Sequence, residues 1–143
     1  MKIVISEGQY KRLIETEEEQ KVLRIPSLKI FDDDWYALQK FLELKGNPPY
    51  SIGWDLDLRY SRIKSLGNLV SVGGKLDLRY SRIKSLGNLQ SVGGDLDLEK
   101  TPIQSLGNLT SVGGDLYLHG TPLSIYTREQ IREMVNVEGR IFK

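Results

Sequence analysis

The sequence has no cysteine and a single histidine, His119. The first absence removes disulfides, iron–sulfur clusters, thiolate zinc sites and cysteine nucleophiles together. The second means that a serine–histidine–aspartate relay would have to be built around one residue. Charge of one sign is also lacking. Twenty Lys and Arg stand against nineteen Asp and Glu, a net of +1, which weakens the case for a protein built mainly to grip DNA or an anionic membrane. No apolar run approaches the roughly 18 residues of a membrane span, and the opening Met-Lys-Ile-Val-Ile-Ser is too short for a signal-peptide core. The chain therefore reads as soluble and suited to a reducing compartment: the cytoplasm, or the host cytoplasm or virion for a viral source. Its 143 residues are the length of one ordinary domain.

What is present is repetition. Set in rows of twenty from Ser51, the sequence shows three full copies that keep Ser-Leu-Gly-Asn-Leu and a fourth that departs after Leu123. The fourteen residues Leu56–Leu69 recur unchanged as Leu76–Leu89. This divides the chain into an N-terminal α/β cap (1–50), a four-copy array (51–124) and a C-terminal helical cap (125–143). In the third copy the apolar positions are Val92, Leu96, Leu98, Ile103, Leu106 and Leu109. Leu-Asp-Leu has period two, so Leu96 and Leu98 are expected to be buried with Asp97 exposed between them. Gly93-Gly94 and Gly107-Asn108 read as turns, both pairs tolerating positive φ. One such coil cannot bury its apolar groups alone. Stacked at roughly 4.8 Å per strand it forms a continuous core under a parallel sheet, and twenty residues leave the opposite side extended or 3₁₀-like.

The pattern Leu-x-Leu-x-x-Ser/Thr-x-Ile/Leu at Leu56–Ile63, Leu76–Ile83, Leu96–Ile103 and Leu116–Leu123 resembles the strand segment of short, 20-residue leucine-rich repeats of bacterial and phage type. The resemblance covers about half the chain. It implies an α+β repeat solenoid, a parallel β-sheet stack with helical caps at both ends, and a recognition surface, usually for protein, without chemistry. One departure is that Ser61, Ser81, Thr101 and Thr121 stand where the family usually has Asn. Their hydroxyls are expected to point inward and bond backbone as a ladder. A general β-solenoid with two strands per coil stays open as an alternative.

The flanks read as caps. Ile3-Val4-Ile5 suggests a short strand, and Ser6 with Gln9 a capping box opening a helix through about Glu19, with Tyr10, Leu13 and Ile14 on one face. An extended piece follows over Lys21–Phe31. Asp32-Asp33-Asp34 reads as an N-cap with first-turn acids for a helix carrying Trp35, Leu38, Phe41 and Leu42, in preference to a metal cluster. Thr127 and Gln130 predict a second capping box, a helix to about Val135 and a short strand at Gly139–Phe142. Trp54 replaces the second glycine of the pair found in the other copies, and is expected to pack on the cap helix near Trp35, Leu38 or Phe41. The competing reading makes it an exposed anchor for a partner.

The outward strand positions form columns: Asp57, Asp77, Asp97, Tyr117; Arg59, Arg79, Glu99, His119; and Asp55, Lys75, Asp95, Asp115. With Tyr60 and Tyr80, the first two columns make up the candidate binding face. A solvated face kept charged for solubility is the bland alternative. Arg-Tyr-Ser-Arg-Ile-Lys occurs at Arg59–Lys64 and Arg79–Lys84, making residues 51–90 net +4 and residues 91–124 net −3. Basic residues interleaved with tyrosine can follow a nucleic-acid backbone. No nucleophile–base pair, phosphate-binding glycine loop or glycine-rich calcium motif appears. The expectation is a non-enzymatic protein-interaction module, monomeric or weakly self-associating, without cofactor, metal or membrane partner. A nucleic-acid-binding accessory protein and a structural or assembly subunit are the alternatives.

Overall fold

The computed structural model describes residues 21–143. The strand and helix expected before Lys21, with Tyr10, Leu13 and Ile14, lie outside the described residues. The rest builds two parallel sheets face to face. One has six strands: β1 (Leu23–Ile25), β2 (Tyr50–Ile52), β4 (Leu69–Val72), β6 (Ser91–Val92), β8 (Ser111–Val112) and β10 (Asn136–Val137), side by side in that order. The other has five: β3 (Leu56–Asp57), β5 (Leu76–Asp77), β7 (Leu96–Asp97), β9 (Leu116–Tyr117) and β11 (Ile141–Phe142). Each twenty-residue copy thus gives one short strand to each sheet. The side opposite Leu-Asp-Leu is extended, as its length requires.

Equal repeat length keeps the stack in register. Leu56 pairs with Leu76, Leu76 with Leu96, Leu96 with Leu116, and Leu116 with Ile141. Inward side chains of both sheets meet in one core in which Leu76, Leu78, Ile83, Leu89, Leu96, Leu98 and Ile103 are fully buried. Such side chains each gain about 1.5–3 kcal/mol from leaving water, which a lone copy could not collect.

The turns of each copy form for different reasons. The Gly73-Gly74, Gly93-Gly94 and Gly113-Gly114 pairs do not adopt positive φ, contrary to expectation. They are needed for close approach: a Cβ on Gly73, Gly93 or Gly113 would strike the carbonyl of the glycine one copy earlier. Positive φ falls instead after Leu-Asp-Leu, at Tyr60 (58°), Tyr80 (61°), Lys100 (59°) and Gly120 (73°), where three of four residues carry a Cβ that disfavours it. The Gly67, Gly87 and Gly107 turns are left-handed as expected.

The Ser/Thr ladder forms in part. Ser81, Thr101 and Thr121 are buried. Thr101 Oγ1 donates to the Leu98 carbonyl and Thr121 Oγ1 to the Leu118 carbonyl, each at 2.7 Å. The hydroxyls of Ser61 and Ser81 are buried without a partner among the described residues. The threonine methyl restricts χ1 and aims its hydroxyl at the carbonyl three residues back. Serine lacks that restraint.

Helix α1 (Trp35–Leu44) closes one end and α2 (Arg128–Met134) the other. Asp34 is the N-cap of α1, accepting from the amides of Tyr36 (2.9 Å) and Ala37 (3.1 Å). Asp32 and Asp33 are not first-turn acids. Both have left-handed backbones (φ 56° and 59°) after a 3₁₀ turn at Leu28–Phe31. The Thr127–Gln130 capping box of α2 is present in both directions. Beyond it β10 and β11 extend both sheets, so the C-terminal closure is part strand as well as helix.

Candidate functional site

The candidate face is the outer surface of the five-stranded sheet. Alternation within Asp-Leu-Asp-Leu-Arg turns both leucines inward and leaves Asp and Arg outside, two residues apart on one strand. At that spacing a guanidinium can fold back on its own strand's carboxylate. Arg59 does so through Nε to Asp57 Oδ1 (2.9 Å) and Nη2 to Oδ2 (2.8 Å). Arg79 repeats the fork on Asp77 at 3.0 and 2.7 Å. In both pairs the carboxylate also accepts the arginine's own amide.

The forks join across copies. Arg59 Nε lies 3.6 Å from Asp77 Oδ2, and Arg79 Nε lies 3.2 Å from Asp97 Oδ2. The result is a staircase, Asp57–Arg59–Asp77–Arg79–Asp97, that ends because the next position is Glu99. It corrects the expectation of an exposed Asp97. Asp77 is 6% exposed and Asp97 4%, because the arginines of neighbouring copies lie over them. The like-charge repulsion expected of the acidic column is met by this interleaving.

The two ends of the staircase are electrostatically unequal. Hydrogen bonding from Arg59 holds the Asp57 carboxyl below its ordinary value. Asp97 is pushed up to about 6, chiefly by burial, with Glu99 and Asp77 adding to the rise. The Glu99 amide, which donates to Asp97 Oδ1 (3.1 Å), and the Arg79 charge oppose it. Arg79 is raised further above its already high value by the Asp77 hydrogen bonds.

The third column does different work. Asp55 Oδ1 accepts the Lys75 amide (2.8 Å), Asp95 Oδ1 the Asp115 amide (2.7 Å) and Asp115 Oδ1 the Arg140 amide (2.7 Å). These carboxylates point along the stack and fasten the first copy to the second, the third to the fourth, and the fourth to the C-terminal segment; Lys75 interrupts the column between. They are structural.

At the margins the face is aromatic. Tyr60 and Tyr80 stack with ring centroids 4.8 Å apart and planes 11° from parallel. They are 71% and 49% exposed. Tyr117 stacks on Phe142 at 4.8 Å, and His119 is exposed beside it. Trp54 is 70% exposed, so its expected burial against α1 is overturned. Its place is already taken: Phe31 and Phe41 meet at 5.3 Å, Trp35 packs against the core, and Tyr50 is buried with its hydroxyl donating to the Leu66 carbonyl (2.7 Å). Strand β1 and Pro26 moreover cover Gly53, so on that side the first copy does have a predecessor.

The structure also splits the basic hexapeptide into two groups. Arg59 and Arg79 belong to the staircase. Arg62, Lys64, Arg82 and Lys84 are exposed, and among the described residues no carboxylate lies within 4.0 Å of them. The sequence signal for this second group was present in the alternation Ser-Arg-Ile-Lys. Yet the candidate face drawn from the strand columns left these four residues out. Among the described residues no three His, Cys, Asp or Glu gather as metal ligands would, and no helix is long and apolar enough to cross a membrane. Comparison with family models, curated proteins and solved structures finds no match to this chain.

Proposed function

We propose that this chain is a leucine-rich-repeat-type solenoid of the short, twenty-residue kind, closed by caps at both ends, and that it acts as a non-enzymatic protein-interaction module. The observation that carries the reading is an exposed aromatic margin on a sheet face whose charges already pair with one another. Trp54, Tyr60 and Tyr80 fill no part of the core, and Trp and Tyr are the residue types that dominate binding energy at interfaces. Tyr60 and Tyr80 already stack on each other, which reduces the side-chain entropy they lose on association.

The carboxylates support the same reading. Asp57 and Asp97 are shifted in opposite directions, as an acid–base pair would be. They nevertheless stand two copies apart, with Asp77 and two arginines between them and Asp97 closed to solvent. A substrate bond cannot lie across both. With no cysteine, the chain suits a reducing compartment such as the cytoplasm, as a monomer or weak homo-oligomer.

The test is capture from extract of the source cell, or of its infected host. Immobilised wild type should retain a protein saturably, and the triple variant Trp54→Ala, Tyr60→Ala, Tyr80→Ala should lose it while keeping its circular dichroism. Equal retention by the two proteins would remove the aromatic margin from the binding surface.

A further inference from the structure

Among the described residues Arg59, Lys75 and Arg79 are paired, whereas Arg62, Lys64, Arg82 and Lys84 of the same two copies have no carboxylate partner. Their segments alternate strictly. Ser81 and Ile83 are buried while Arg82 and Lys84 are exposed, and Arg62 and Lys64 repeat the pattern one copy earlier. Four cations therefore stand in a two-by-two grid, about 4.8 Å apart between copies and about 7 Å apart along the chain. Arg62 faces the like charge of Arg82, and Lys64 that of Lys84, which is unfavourable unless an anion lies between. The third copy has Pro102 and Gln104 at these positions, so the grid ends there. The staircase beside it shows that this protein pairs arginines internally where they are structural. Among the described residues the grid has no carboxylate partner.

We infer that the grid is the docking strip for an extended acidic segment of a protein partner, an inference that rests on the interaction reading above and names the partner's chemistry. In an extended peptide, carboxylates two residues apart are about 7 Å apart, the spacing between Arg62 and Lys64 and between Arg82 and Lys84. The strip opens into a cleft of about 910 Å³ in which Trp35, Tyr36 and Ile63 lie near Arg62 and Lys64. That cleft suits an apolar side chain flanking the acidic run.

Two observations favour a peptide over a nucleic acid. The Tyr60 and Tyr80 rings cover each other at 4.8 Å, too close to admit a base between them. Asp32, Asp33 and Asp34 line the same cleft, so a uniformly charged phosphate chain is repelled where it leaves the grid. A peptide whose acidity is confined to the grid is not.

Fluorescence anisotropy with a fluorescein-labelled peptide of alternating Glu and Ser, followed by Leu-Phe, tests this. The same peptide with Lys for Glu is the control, and oligothymidylate the competitor. The acidic peptide should bind, weaken as salt rises, and lose about tenfold or more in affinity for either Arg62→Ser/Arg82→Ser or Lys64→Ser/Lys84→Ser, a loss of about 1.4 kcal/mol or more. These side chains are exposed, so the fold should be intact by circular dichroism. Equal binding of acidic and basic peptides, or unchanged binding by both double variants, overturns the inference. So does oligothymidylate binding more tightly than the acidic peptide, which would assign the grid to nucleic acid. If the acidic peptide fails while the aromatic triple variant still loses a captured partner, the interaction module stands and only the acidic-segment assignment falls.

Discussion

Asp57, Asp77 and Asp97 share one register, yet three environments result. Asp57 is open to water, Asp77 is covered from both sides, and Asp97 has an arginine on one side and Glu99 on the other. Its raised value, about 6, has a definite consequence for stability. Asp97 binds its proton more tightly folded than unfolded, so stability present in full below its unfolded value near 4 is lost as pH rises through about 6. Asp57 acts in the opposite sense, and only below 3.8. Asp97→Asn keeps an acceptor for the Glu99 amide and removes the titration. It should raise stability at pH 7 by on the order of 2 kcal/mol and flatten the pH 4–6 slope; urea melts across that range measure both. A variant less stable than wild type at pH 7 would show that the Arg79 pairing outweighs the burial of charge.

The threonine hydroxyls give a second test at this scale. Thr101→Val keeps shape but removes the hydroxyl that donates to the Leu98 carbonyl, which keeps the Thr101 amide, for a loss of about 1 kcal/mol. Ser81→Thr should gain about 1 kcal/mol by making the bond Ser81 lacks. Chemical denaturation of both variants is decisive, since a ladder that merely fills space would predict no difference of sign.

Among the elements, the Gly-Gly corner is the least forgiving. Gly73, Gly93 and Gly113 follow one another up the stack, each against the backbone of the one before. A methyl at Gly93 meets main chain, which cannot rotate away. Gly93→Ala should cost about 3 kcal/mol or more, by the strain that overpacking produces. Gly87 is a contrast: its conformation is left-handed but the space around it is open, so Gly87→Ala carries only the conformational penalty of about 1–2 kcal/mol. Thermal melts of the two should rank in that order, and the reverse order would mean that the corner opens without loss.

For the molecule as a whole, the stack holds only while its ends are closed. β10 and β11 cover the last copy by placing Val137 beside Val112 and Ile141 beside Leu116. Removing residues 136–143 would bare two sheet edges and the Leu116–Leu118 core. Such a chain should aggregate or lose its cooperative transition, seen by size-exclusion chromatography and circular dichroism. A monomeric, cooperatively melting truncation would show that α2 alone suffices as a closure.

Much of this architecture was legible in the sequence because it depends on period and side-chain type alone. Twenty-residue spacing requires register, Leu-x-Leu requires one inward face, and Thr127-x-x-Gln130 ahead of a helical run favours the capping box that forms; none needs knowledge of a distant neighbour. Trp54, Asp97 and the glycine pairs were misjudged for the opposite reason. Whether an indole finds room depends on Phe31, Phe41 and β1, far off in sequence. Whether a carboxylate is covered depends on the arginine of the preceding copy folding across. Whether glycine serves φ or contact depends on how closely two copies approach. So too with the basic hexapeptide. Its sequence shows the cations, but only the folded structure separates the arginines that bind carboxylates from the four cations that have none among the described residues, because that division is set by distances in space.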